Sequence, residues 1–150
     1  MGKSIQIQKR ICFSSRTKEI ITDIISYLFI FLFVYTAYSK GMDHSGFSQS
    51  LGRYKMIENY AGQISWLITA VEVFVSGLLL FPKTRKLGLI ASLILMLTFT
   101  AFLLIMVFTM DSLFCSCGGV LNSMGFWEHI WFNVGFIALA IIGIVLYKNQ

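Results

Sequence analysis

LGLIASLILMLTFTAFLLIMVFT, residues 87–109, runs from Leu87 to Thr109 without a charged side chain. A helix needs about 20 apolar residues to cross the hydrocarbon core of a bilayer, and this stretch is long enough. Its apolar character is continuous rather than alternating, which favours a membrane helix over a strand of a barrel. Three further runs share that character. Ile20–Tyr38 is interrupted only by Thr22, Asp23 and Ser26 near its start, Ile64–Phe81 holds one charge at Glu72, and Ile130–Tyr147 has Asn133 as its strongly polar group. The predicted fold is therefore all-α: a four-helix transmembrane bundle over residues 20–147, with spans near 20–38, 64–81, 87–109 and 130–147.

Composition agrees. The chain has 150 residues, 57% hydrophobic and 13% charged, whereas soluble domains average about 45–50% apolar and about 25% charged. Its length suits one domain. The net charge of +5 does not mark a nucleic-acid partner, because the basic residues flank apolar runs and form no separate basic region.

Their distribution predicts an orientation. Lys3, Lys9, Arg10, Arg16 and Lys18 precede the first span, Lys83, Arg85 and Lys86 lie between the second and third, and Lys148 follows the fourth. Only Lys40, Arg53 and Lys55 fall on the other side. The positive-inside rule puts both termini in the cytoplasm, with residues 1–19 as a basic cytoplasmic segment. Ala37-Tyr38-Ser39 loosely resembles a cleavage site, but the apolar run before it is too long for a signal peptide, so span one reads as an uncleaved anchor. In the outer connection after it, Phe47, Leu51, Tyr54 and Ile57 recur at helical spacing, as in an amphipathic helix on the membrane surface. Pro82 stops span two, and the short turn to Lys86 makes spans two and three antiparallel neighbours.

The same orientation puts Cys115-Ser116-Cys117-Gly118-Gly119 outside, where disulfide chemistry persists. A bridge across one intervening residue closes a tight ring, a poor staple but a labile redox couple. Gly118 and Gly119 free the backbone and let a partner's thiol approach. Metal binding by Cys115, Cys117, His129 and Asp111 is a competing use. A purely structural pair is the third.

His129 stands at the outer mouth of span four between Trp127 and Trp131. It is either part of an interfacial aromatic belt or, with Asn133 four residues on, part of an inward polar stripe that handles a thiol's proton. Glu72 lies about 12 Å into span two at about 1.5 Å per residue. A carboxylate there must face the bundle interior and find a partner; Tyr35, Tyr38, Lys40 and Asn133 are the candidates. Cys12 is a lone inner-side thiol, and the Phe and Met residues of span three read as core filler or lipid-facing groups.

In this order and spacing the chain resembles the MauE/DoxX-like family of redox-associated membrane proteins. The likeness is carried by Ser39-Lys40, Phe47, Glu72 with Gly77-Leu78-Leu79-Leu80 and Pro82, and the basic turn Thr84-Arg85-Lys86. It continues through Cys115-Ser116-Cys117-Gly118-Gly119, Trp127-Glu128-His129 and Asn133. The resemblance implies a bacterial inner-membrane protein, in the MauE branch linked to methylamine utilisation, that serves disulfide handling of exported proteins. The expected partner is a periplasmic thioredoxin-like protein or a disulfide-containing client, besides the bilayer itself. The bundle is also similar to four-helix membrane oxidoreductases that pass electrons to quinone, which makes quinone the candidate cofactor. Those enzymes use a Cys-x-x-Cys and a second, shuttling pair; this chain has neither, so a full route to quinone needs a partner.

The primary expectation is thiol-disulfide oxidoreductase chemistry at Cys115 and Cys117, with His129 and Glu72 moving protons and Gly118, Gly119, Trp127, Asn133 and Lys40 in support. The alternatives are a non-catalytic membrane subunit that anchors a partner and, third, a metal-handling protein.

Overall fold

The structure, a computed structural model, describes residues 15–52, 58–109 and 126–148. Cys12, Tyr54, Ile57, Asp111, Cys115, Cys117, Gly118 and Gly119 lie outside these residues. All regular structure among the described residues is helical: α1 (Ser15–Met42), α2 (His44–Gly52), α3 (Ala61–Leu80), α4 (Arg85–Thr109) and α5 (Phe126–Lys148), with a 3-10 turn Glu58–Tyr60 leading into α3. Four of them are long and apolar enough to cross a membrane. The helices extend past the apolar runs at several ends, because propensity and backbone hydrogen bonding carry a helix into the polar flanks.

The long helices alternate in direction and pack in the cyclic order α1–α3–α4–α5, each against its two neighbours. Ile25, Phe29 and Phe33 of α1, Val75 and Leu79 of α3, Leu89 and Met96 of α4 and Ala140 of α5 form the shared core. Phe29 meets Phe136 edge-on, at 5.2 Å between centroids and 79° between planes, a favoured aromatic geometry. Hydroxyls inside the bundle donate to their own helix: Ser26 to the Thr22 carbonyl (2.8 Å), Ser76 to that of Glu72 (2.9 Å) and Ser92 to that of Gly88 (2.8 Å). With no water at that depth, such bonds are the local way to satisfy a hydroxyl.

One end of the bundle is closed by direct contacts. Arg85, at the start of α4, pairs with Asp23 of α1, and the Tyr147 hydroxyl donates to the Pro82 carbonyl at 3.3 Å. In the turn between α3 and α4 the Thr84 hydroxyl donates to the Leu78 carbonyl at 2.8 Å and so caps α3. Close approach of α4 to α3 rests on Gly88: a Cβ there would lie 2.9 Å from Leu79 Cδ2 and 3.1 Å from the Leu79 backbone nitrogen.

The other end is built around α2. Its Phe47 and Leu51 are buried with Ala61 of α3, against Ile64, Ile68 and Phe102. The helix expected from the spacing of Phe47 and Leu51 is present, and these two residues face the bundle. The apolar stripe is present, yet in its described part it covers the bundle, because α3 and α4 offer an apolar wall closer than lipid.

Candidate functional site

At the α2 end, α1 and α4 finish while α3 and α5 begin. The most polar interior side chains converge just inside it. Lys40 projects from the last turn of α1. A lysine so near a helix end would ordinarily snorkel toward water. Instead it is 5% exposed and pairs with Glu72 of α3, which is 0% exposed. Its ammonium also lies over two aromatic faces, 5.1 Å from the Phe47 centroid and 4.8 Å from that of Phe99. Desolvation makes this cation–π contact stronger than it would be at a surface.

Of the four candidate partners for Glu72, the carboxylate thus takes Lys40. Tyr38 is exposed and Tyr35 stacks on Phe31 at 6.4 Å. Asn133 sits in the same cavity wall without a hydrogen bond to the carboxylate, and both Glu72 Oε2 and Asn133 Nδ2 are buried with no hydrogen-bond partner. Thr36, one turn before Lys40, donates to the Phe33 carbonyl at 3.2 Å.

His129 and Asn133 take the inward alternative. Both are buried, whereas Trp127 and Trp131 are each 71% exposed. The four residues are split by helical spacing: positions 129 and 133 share one face of α5, and 127 and 131 fall on the outer flank. Trp127 and Trp131 are placed as an interfacial belt would be, and the histidine between them is not part of it. The Lys40 charge is near enough to act on the His129 imidazole.

These side chains frame one end of a cavity of about 300 Å³ lined by the four long helices and α2. Its remaining wall is apolar, with Phe33, Phe47, Ile68, Leu95, Phe99 and Phe132 among its members. Here the sequence reading of span three was too coarse. Met96 and Leu103 are buried while Ile94, Leu97, Leu104 and Ile105 face outward, and the inward set with Phe99 and Phe102 lines the cavity. The helical spacing of positions 95, 96, 99, 102 and 103 marks that face, but nothing in the sequence says that it borders a space. Sequence reasoning also missed the Asp23–Arg85 pair, since it weighed Asp23 as a polar residue at a span start and Arg85 as a topological charge.

Lys40, Glu72, His129 and Asn133 are thus brought together, and Phe47 joins them from α2. The chemistry this permits is hydrogen bonding and proton relay beside a mainly apolar wall. Among the described residues, no three His, Cys, Asp or Glu side chains cluster as metal ligands. Cys115 and Cys117 belong to the connection between Thr109 and Phe126, whose two ends both lie at this end of the bundle.

Compared with curated proteins and with solved structures, the chain has no significant match. The family model described as methylamine utilisation protein MauE matches residues 18–146, a stretch that contains α3 and α4 and all but the outermost residues of α1 and α5. A match over that much of the chain shows its family: the protein is a multi-pass membrane protein that belongs to the MauE family.

Proposed function

We propose that this protein is an inner-membrane thiol-disulfide exchange protein whose outward-facing Cys115 and Cys117 react with a thioredoxin-like protein or a disulfide-containing client. The observation that supports this reading most is topological. The connection that carries both thiols springs from the helix ends beneath which His129, Asn133, Lys40 and Glu72 gather. On this reading His129, in the first turn of α5, is the proposed proton acceptor for a reacting thiol.

In the exchange, the thiolate of one cysteine attacks a sulfur of the partner's disulfide, forming a mixed disulfide and releasing the partner's other sulfur as a thiolate. The second cysteine then attacks the mixed disulfide. The pair leaves oxidised and the partner reduced by two electrons; the reverse sequence oxidises the partner. His129 is assigned to receive the proton that the attacking thiol gives up, and the Lys40–Glu72 pair lines the same cavity.

Mixed-disulfide trapping tests the reading. With Cys115→Ser and Cys117→Ser made singly, one variant accumulates a reducible adduct, because its resolving thiol is gone, and the other forms none. The double variant forms none. An adduct that survives in the double variant, or single variants that retain full function in cells, overturns the exchange reading in favour of a non-catalytic anchor.

A further inference from the structure

The cavity between the helices has a composition that a structural void does not need. A packing defect would be lined by apolar groups alone, and such voids stay dry. Here a mainly apolar wall of aliphatic and phenylalanine side chains meets a polar end at which two buried atoms have no hydrogen-bond partner. Glu72 Oε2 can only accept while its carboxylate pairs with Lys40, and Asn133 Nδ2 can only donate. Both residues line the space, and both are at least nine-tenths buried, at 0% and 3% exposure. Buried polar atoms in proteins are nearly always satisfied by protein, water or ligand, so these two are the points at which a bound molecule could be held.

We propose that the cavity is a binding site for a neutral, ring-sized lipophile with a hydroxyl head, a phenol being the simplest member of the class. Four features fix that chemistry. The Lys40–Glu72 pair sums to no net charge, so nothing in the pair attracts an ionic ligand. The bare carboxylate oxygen calls for a donor and the bare amide nitrogen for an acceptor, and a hydroxyl supplies both. A ring with carbonyl oxygens only, such as a quinone, answers Asn133 and leaves Glu72 Oε2 unpaired. The rings of Phe33, Phe47, Phe99 and Phe132 suit an aromatic body, and about 300 Å³ is ample, since a cavity of about 150 Å³ already admits benzene.

This site stands whether or not the cysteines exchange electrons, and its test is independent of them. The full-length protein, purified in lipid nanodiscs, is titrated with 4-hexylphenol, with 4-hexylanisole, which lacks the donor, and with hexylbenzene, which lacks both functions. The phenol is expected to bind at least tenfold more tightly than the anisole, because a site built to hydrogen-bond a hydroxyl strongly rejects its blocked analogue. Hexylbenzene should bind more weakly still. Ile68→Trp on α3 and Leu95→Trp on α4 each fill the space from an apolar wall remote in chemistry from the polar corner. Whichever of them keeps the native melting temperature should lose phenol binding. The Cys115→Ser/Cys117→Ser double variant should bind as the native chain does. Equal affinity for the three probes overturns the proposal in favour of unspecific apolar filling. Undiminished phenol binding in a folded Trp variant overturns it by placing the ligand elsewhere.

Discussion

Lys40 and Glu72 are the residues on which the bundle interior turns. Each would be costly to bury alone, and removing one partner of such a pair typically costs about 3–5 kcal/mol, whereas replacing both is far less harmful. Lys40→Met and Glu72→Leu are therefore expected to destabilise strongly one at a time. Lys40→Met/Glu72→Leu should recover much of the loss, which reversible unfolding in detergent, arranged as a double-mutant cycle, will show. An additive double variant would mean that the two charges do not depend on each other. The pair was only half legible. Depth in span two required Glu72 to have a partner, and Lys40 was among four candidates, but sequence fixes where a side chain is rooted and not which way it turns. The snorkelling preference of lysine points outward; the aromatic cradle of Phe47 and Phe99, assembled from two other helices, draws it inward.

At the scale of elements, small residues set how closely helices approach. Gly88 and Gly77 are both helical glycines, yet a Cβ at Gly77 meets nothing within 4 Å while one at Gly88 would clash with the Leu79 side chain at 2.9 Å and press on its backbone nitrogen at 3.1 Å. Gly88→Ala should cost about 1–3 kcal/mol through overpacking, and Gly77→Ala should gain about 0.5–1 kcal/mol through helix propensity. Opposite signs in thermal unfolding of the two variants confirm that the α3–α4 crossing is contact-limited; equal signs refute it. The four long helices were readable because their apolar runs are continuous and their interruptions few. The placement of α2 was not. Periodicity at Phe47 and Leu51 identifies an apolar stripe, but lipid and protein are equally apolar, so only the third dimension says which of them it meets. The Asp23–Arg85 contact was hidden for the same reason, with the two residues 62 positions apart in the chain.

For the whole molecule, nine of the 12 basic residues lie toward the two chain ends or in the turn between α3 and α4 and the first residues of α4. This distribution predicts cytoplasmic termini and an outward-facing α2. In a variant whose native cysteines are serine, Ser45→Cys should react with an impermeant maleimide in intact cells, and Gln150→Cys should react only after the membrane is opened. The reverse pattern would place the thiol-bearing connection in the reducing cytoplasm and end the exchange reading. The architecture as a whole was legible from hydropathy and charge. The cavity was not, since a void is a property of four helices at once and leaves no mark on any one of them.

The Lys40–Glu72 pair has an electrical consequence. Both charges lie inside the bundle, and at the opposite end Asp23 is matched by Arg85. A membrane potential works on charge that moves through it, about 2.3 kcal/mol for each elementary charge carried across 100 mV. A matched pair that moves as a unit carries no net charge, so these residues contribute little beyond their dipoles to any response to voltage. Glu72→Gln would end that indifference. It would strand one positive charge within the field, and any displacement of Lys40 would then couple to the voltage.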